Sequence, residues 1–533
     1  MSNTTIPQRQ RALQLVGPDQ LQINENKPVF EPGPHQVLAR IEVVGLCFSD
    51  LKLLKQFSGH ARKSPITSGI DPKALEQMPH YVPNDKPTVP GHETVVRIVK
   101  TGANTRHKVG ERFLVQTDYR WLPTANSNSA FGYNFEGALQ EYVLMDERVI
   151  TSPDGESMLI PVPEDVSASA IALVEPWACV EDSYVEKQRQ TLKNGGRMLV
   201  VGESPVDQAR VQHLPGKPAE ITVTTADKVD GLKNAAFDDV VYFGSNASTV
   251  EKLFPKVGVS GLFNIVQCGG KFGRPVVSQV GRVHYGGIRV IGTTGSDPAA
   301  SMKSIPASAE IRANDKINII GAGGPMGTMH VIRDLCQGVP GVTVFAGDLS
   351  DERLAVLDKI AGPLAQKNKV TLRCYNPSKD KLADKFDYVV LMAPVPVLVT
   401  QAVPSAADRA IINIFAGIPA DKNADIDLDA YIEKQLYFIG TSGSVLDDMK
   451  QVLAKVVSRR LDTNLSVAAV SGLDGAIEGI RAVEKNLIAG KILVYPSCKG
   501  LKVTLLADLA GKLPLENGLW NKKSEEALLA QRA

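Results

Sequence analysis

From Arg11 to about Ile150, apolar residues come in short runs broken by Gly, Pro and Asn, as in VLARIEVVG (37–45), TVVRIVKTG (94–102) and ALQEYVLM (138–145). Runs of this length with turn residues between them predict a β-rich, barrel-like domain. Between Lys52 and Lys86 the pattern lapses into a polar stretch with several Gly and Pro, which reads as a surface insertion, a lid or a plain loop, near whatever site its flanks form. After Glu175, apolar strands alternate with helical segments, the signature of an α/β fold with a parallel sheet that binds ligands beyond its strand C-termini.

That second pattern occurs twice. VIGTTGSDPAASMKSI (290–305) returns as FIGTSGSVLDDMKQVL (438–453), and AFDDVVYFG (236–244) as KFDYVVLMA (385–393), each about 148 residues later. ITVTTADK (221–228) answers VTVFAGDL (342–349) at an offset of about 121, so the first copy has lost roughly a helix and a strand. Three matches in order predict an internal duplication: two tandem Rossmann-like, doubly wound parallel sheets.

Composition narrows the classes. A chain of 533 residues exceeds one core, which predicts two or three domains, and 43% hydrophobic with 22% charged residues is a globular balance. The net charge of +1 offers no general field for nucleic acid or an anionic membrane, so neither is expected as a partner. The polar start MSNTTIPQRQ lacks an apolar h-region and no run of about 18 apolar residues occurs, which makes the cytoplasm the default location. Six scattered cysteines, Cys47, Cys179, Cys268, Cys336, Cys374 and Cys498, include no C-x-x-C pair. Any metal must therefore have mixed ligands.

Such a set is present in Cys47 of GLCFSD, His92 and Glu93 of PGHE, and Glu175 of VEPWACV. Zinc takes thiolate, imidazole and carboxylate together, and a catalytic site leaves one position open. Singly, each has a plainer reading: a buried thiol, a loop histidine, a helix-starting glutamate.

A glycine-rich turn, Gly321, Ala322, Gly323, Gly324, Pro325, Met326, Gly327, follows the strand KINII and opens a helix, where backbone N–H groups and the helix terminus favour a pyrophosphate. Read backward from Gly327 the spacing is Ala322-x-Gly324-x-x-Gly327, with alanine in place of the first glycine. Asp348 ends the next strand, where an acid binds both adenosine ribose hydroxyls and repels the extra phosphate of NADP; nearby Arg353 is the feature that favours that phosphate. NAD is thus expected over NADP. In the first copy Gly202 stands alone and Glu203 lies where a pyrophosphate would, so that copy is read as degenerate: a structural unit, or one that binds another ligand.

The series GLCFSD, GHE, G-x-R-F-x-V, GALQEYV and VEP ahead of a dinucleotide-binding unit resembles the zinc-dependent medium-chain dehydrogenase/reductase superfamily, of the polyol dehydrogenase type. FGYNFEGALQEYV, IIGAGGPMG, FIGTSGSVLDDMK and VSGLDGAIEGI with GKILVYP look like its L-sorbose 1-phosphate reductase group. The resemblance implies a GroES-like catalytic domain over 1–190, completed by about 468–510, the degenerate copy over 191–310, the NAD-binding copy over 311–467 and a polar tail over 511–533. It makes Cys47, His92 and Glu93 zinc ligands, with Glu175 a fourth ligand or the carboxylate holding zinc-bound water, Asp50 behind the ligands, and Ser49 a relay for the hydroxyl proton. One catalytic zinc and no structural zinc are implied, because the four-cysteine lobe is missing.

The implied activity is hydride transfer between NAD(H) and a polyol, a ketose or a sugar phosphate, in a homodimer or homotetramer. Another secondary alcohol, such as an amino alcohol or glycoside, is the alternative substrate, and a non-catalytic scaffold the alternative role. The separation of Cys47 from His92 is about twice the usual one, so the insertion is expected to reshape the substrate mouth. A phosphate would need a basic anchor, for which Arg62, Lys63 and Arg120 are candidate surface charges.

Overall fold

A computed structural model describes residues 6–441 and 443–532; the first five residues of the polar start and Ser442 of the second repeat lie outside them. The chain forms two compact units, one from 1–178 with 445–533 and one from 179–444.

In the first unit, apolar alternation makes a mostly antiparallel sheet. Its order is Thr504–Leu505, Val467–Ser471, Lys491–Val494, Gln36–Gly45, Glu93–Thr101, Arg112–Val115, Leu159–Pro161, with Tyr142–Asp146 also paired to Gln36–Gly45. The central strands bury Val37, Ala39, Ile41, Val96, Ile98, Ile492 and Val494 in one core, against Leu473, Ala476 and Ile480 of the helix Leu473–Glu484. The last 20 or so residues are part of this packing. In the helix Lys522–Arg532, Glu525 accepts the backbone N–H groups of Ala168 and Ser169 at 2.7 Å each, capping the helix Ala168–Ala172.

The insertion departs from the expected surface loop. It folds into short turns, Phe57–Gly59, Ala61–Lys63 and the helix Pro72–Glu76, and sends Leu53, Leu54, Phe57, Ala74 and Met78 into the core. Backbone and side-chain bonds fasten it to the following segment: Thr67 N–H to Pro123 O at 2.8 Å, Val82 N–H to Asn134 O at 2.7 Å, Asn134 Nδ2 to Ser64 O at 3.1 Å and Thr124 Oγ1 to Ala61 O at 2.9 Å. Lys63 is fully buried, not a surface charge. Its ammonium donates to the carbonyls of Val82 and Lys86, and ties the turn at 61–63 to the end of the insertion.

The second unit holds both copies. The later sheet runs Thr371–Tyr375, Thr343–Gly347, Lys316–Ile320, Phe386–Leu391, Ala406–Asn413, Tyr437–Ile439, all parallel, which is the 3-2-1-4-5-6 order of a dinucleotide fold. The earlier sheet runs Glu220–Thr225, Arg197–Gly202, Phe237–Phe243, Val257–Val266, Arg289–Thr293, with no counterpart of Thr371–Tyr375. Its losses exceed the expected helix and strand. A 3-10 turn at Gln208–Val211 stands where the later copy has the helix Pro325–Cys336, and another at Ala226–Gly231 where it has Asp351–Asn368.

The two copies share one core, in which Val240, Phe263, Val276 and Val290 pack with Val389, Ile412, Ile426 and Phe438. They also pair directly. Val276–Ser278 lies antiparallel to Ala424–Ile426, with 276 opposite 426, 277 opposite 425 and 278 opposite 424. At the repeat offset of about 148, residues 276 and 278 are the counterparts of 424 and 426, so the ladder maps onto itself when the copies are exchanged. This is the isologous pairing of a two-fold dimer, made inside one chain.

Lys63 gives a pH test of the insertion's packing. Burial, and secondarily Lys86, lower its pKa to about 7. From pH 7 toward 10.5 the unfolded chain therefore binds more protons at this site than the folded one, and stability rises with pH across that window. Urea unfolding at pH 7 and 9.5 should show the wild type gaining up to about 3 kcal/mol relative to Lys63→Met; an equal pH response in both proteins would contradict the buried ammonium.

Candidate active site

The strand Gln36–Gly45 ends just before Cys47, and its neighbour Glu93–Thr101 begins at Glu93, with Gly45 and Glu93 directly opposite in the ladder. Two residues far apart in sequence are thereby set side by side at one end of the sheet. Gly45 leaves the space that Glu93 fills: a Cβ there would overlap Glu93 Oε2. Cys47, His92 and Glu93 each offer a ligand atom, all within 4.8 Å of one another, and among the described residues no other such group of three or more occurs.

The surroundings fit a metal. His92 Nδ1 pairs with Asp50 Oδ1 at 3.1 Å, which leaves Nε2 facing the cluster. The same Asp50 accepts the Cys47 backbone N–H at 3.3 Å. Glu93 is fully buried; its Oε1 accepts from Lys491 Nζ at 2.5 Å while its Oε2 has no partner. An orphaned carboxylate oxygen beside a thiol and an imidazole nitrogen is the donor set zinc takes.

Ser49 sits against the cluster, 3.0 Å from Cys47 Sγ and 3.1 Å from His92 Nε2, and bonds the Tyr133 side chain. Glu175, in the first turn of the helix Val174–Val185, stands outside the three-donor set but within its field. Burial pushes its carboxyl up to about 7, reinforced by Glu93 and opposed by His92 and Lys491.

Sequence reading missed Lys491, Gly45, Tyr133 and the role of the insertion. GKILVYP marked Lys491 only as the start of an apolar strand, yet the side chain is buried and also donates to Leu46 O at 2.7 Å. Tyr133 lies between the cluster and the insertion, its ring 6.0 Å from that of His92 and 5.1 Å from that of His60. His60 stays neutral at pH 7: burial, with Arg62 and Lys52, lowers its pKa to about 4.

In the second unit the glycine-rich turn joins Lys316–Ile320 to the helix Pro325–Cys336. The glycines that matter differ from the backward reading. Gly321 has φ +90°, a Cβ on Gly323 would come within 2.9 Å of Asp348 Oδ2, and one on Gly327 would overlap Gly321 O. Around Gly324, by contrast, there is room, and Ala322 is simply buried. The tight positions therefore follow G-x-G-x-x-x-G. Pro325 and Met326 open the helix, with Gly324 as its N-cap.

Asp348 reaches the turn: its Oδ2 accepts the Gly323 N–H and its Oδ1 the Ser350 N–H, both at 3.0 Å. Arg353 packs its Cβ beside Gly323 from the helix Asp351–Asn368. In the earlier copy Glu203 accepts from the Tyr242 and Thr249 hydroxyls, and no α-helix follows to point N–H groups at a ligand.

Comparison with known proteins agrees with this architecture. Residues 33–154 match the family described as Alcohol dehydrogenase GroES-like domain. The protein YggP of Escherichia coli K12 is 27% identical over 247 residues, 42% of this chain and 57% of its own. L-sorbose 1-phosphate reductase of Klebsiella pneumoniae is 26% identical over 233 residues, 41% and 56% of the two chains. The chain thus spans little more than half the length of these relatives. Among solved structures, 2R,3R-butanediol dehydrogenase from Bacillus subtilis has the same fold, with a TM-score of 0.53 at 17% identity over 91% of this chain and 99% of that one. Residues 33–154 thus match the GroES-like domain of alcohol dehydrogenases, and the chain is similar in fold to a butanediol dehydrogenase.

Proposed function

We propose that the protein is a zinc- and NAD-dependent dehydrogenase that moves a hydride between the secondary alcohol of a polyol, or the matching ketose, and the nicotinamide. The observation that carries this reading is the convergence of Cys47, His92 and the unpartnered Glu93 oxygen.

Cys47 Sγ, His92 Nε2 and Glu93 Oε2 would hold the metal. Zinc bound there supplies a Lewis acid that favours the alkoxide of an alcohol substrate or polarises its carbonyl. Asp50 keeps the His92 proton on Nδ1, and Lys491 occupies Glu93 Oε1, so the two inner ligand atoms stay turned to the cluster. The Ser49 hydroxyl receives the substrate proton and passes it toward Tyr133. Glu175, outside the three donors, is assigned to hydrogen-bonding substrate or solvent beside them.

The later copy holds the cofactor. The helix Pro325–Cys336 offers its unpaired N–H groups to the pyrophosphate, and the turn 321–327 gives the close approach. Each Asp348 oxygen spends one lone pair on a backbone N–H and keeps another for the ribose hydroxyls, which favours NAD. The earlier copy is assigned a structural role: it occupies, within the chain, the two-fold surface that an identical partner would need. A monomer replaces the homodimer or homotetramer expected from the resemblance.

Elemental analysis should give about one zinc per chain, lost with activity in Cys47→Ser and His92→Ala. Gly45→Ala keeps all three donors but should also lower zinc content, because the added methyl displaces the Glu93 carboxylate. Zinc-free protein with full activity would overturn the mechanism. In NADH fluorescence titrations, Asp348→Ala should weaken binding at least tenfold, on the order of one ribose contact, and Glu203→Ala should leave it unchanged; the reverse would assign the cofactor to the other copy. Light scattering should return the single-chain mass of 57.3 kDa, and twice that mass would refute the internal dimer.

A further inference from the structure

The insertion places a cation beside the metal cluster, but one already paired. The Arg62 guanidinium grips Asp118 with two prongs, NH1 to Oδ1 and NH2 to Oδ2, the latter at 3.1 Å. It lies 5.5 Å from the centre of the Tyr133 ring, the same ring that stands 6.0 Å from His92 and bonds Ser49. Both members of the pair act electrostatically on Glu175, Arg62 by attraction and Asp118 by repulsion. Their side chains keep 27% and 11% of their accessible surface, so the pair is partly open and not sealed in the core. His60 completes the wall: its Nδ1 accepts the Arg62 backbone N–H at 3.2 Å, which leaves Nε2 as the protonated nitrogen.

Resting on the dehydrogenase reading, we propose that Arg62 and Asp118 form a recognition pair that selects a neutral, polyhydroxylated substrate over its phosphate ester. A fork–fork ion pair leaves the outer guanidinium N–H groups and the second lone pairs of the carboxylate unused. A hydroxyl can accept from the first and donate to the second, so neighbouring hydroxyls of one chain can satisfy both at once. A phosphate monoester carries close to two negative charges at neutral pH and only accepts. It meets a cation whose charge Asp118 has cancelled, with Glu175 also in range. Lys63 gives it no help, because its ammonium is buried against two backbone carbonyls. Of the candidate anchors, the one beside the cluster is therefore suited to hydroxyls and unsuited to phosphate.

The test uses the zinc-loaded enzyme with sorbitol, sorbitol 6-phosphate and butan-2-ol, the last having no second hydroxyl. Wild type should show kcat/KM for sorbitol at least tenfold above that for the phosphate. Arg62→Gln, Asp118→Asn and the charge-free double variant Arg62→Leu/Asp118→Leu should each raise KM for sorbitol at least tenfold. They should lower kcat/KM for sorbitol at least tenfold more than that for butan-2-ol, and leave zinc content and NADH binding unchanged. Calorimetric titration with sorbitol, which needs no turnover, should show the same loss of binding. Preference for the phosphate, or an equal fall for sorbitol and butan-2-ol, would overturn the pair's role while the dehydrogenase reading stands. Sorbitol binding that depends on Arg62 without turnover of any alcohol would uphold the pair and sink that reading.

Discussion

The Lys491–Glu93 ion pair is the contact on which the Cys47, His92 and Glu93 cluster depends. Glu93 is fully buried and would be costly as an isolated carboxylate, since an uncompensated charge in a protein interior carries a penalty of several kcal/mol. Lys491 supplies the compensation from 398 residues away, on a strand that reaches the sheet only after the chain has traversed the second unit. One oxygen is neutralised and the other is left bare, and Gly45 leaves the room for both. A metal ion is the natural second partner for such a carboxylate. The pairing of Lys491–Val494 with Gln36–Gly45 is therefore what brings Glu93 its counter-charge.

Duplication in the second unit shows how two copies of one fold diverge under different demands. Five of the six sheet strands and the apolar faces they turn to the shared core survive in both, because each copy buries the other's surface. What differs is the helical layer beyond the strand ends. The later copy keeps the long helix Pro325–Cys336 and its turn, whereas the earlier one has only a 3-10 turn and a carboxylate fixed by two hydroxyls. A three-residue ladder that matches itself under the repeat offset joins the two copies along the edge that the earlier one keeps.

Much of this was legible in the sequence, and the failures have physical causes. Strand periodicity located the sheet of the first unit, repeated strings exposed the duplication, and GLCFSD with GHE marked residues that the fold does bring together. Lys491 was invisible because a lysine at the start of an apolar strand has the same local pattern whether it faces water or a buried glutamate. The glycine turn was misaligned because composition cannot say which glycine has φ +90° and which has empty space beside it. Leu53, Leu54, Phe57 and Met78 of the insertion are spread over elements too short for any period to emerge, so core residues read as loop.

The insertion also resolves the stretched spacing between Cys47 and His92. The entropy of closing a loop grows only with the logarithm of its length, so adding residues between two ligands costs little if the added chain packs well. Here it packs against 118–136 through backbone and side-chain bonds and is tied within itself by the buried Lys63, while Cys47 and Glu93 keep their places because they are set by the ladder between Gly45 and Glu93, not by the chain between them. On the proposed reading, chemistry and selection fall on separate elements. Strand ends fix Cys47 and Glu93, whereas the insertion, with Tyr133 as the shared surface, builds a wall whose charges are paired in advance. The ladder that sets the cluster does not run through that wall, which is the arrangement a fold would need in order to keep one reaction while changing what it accepts.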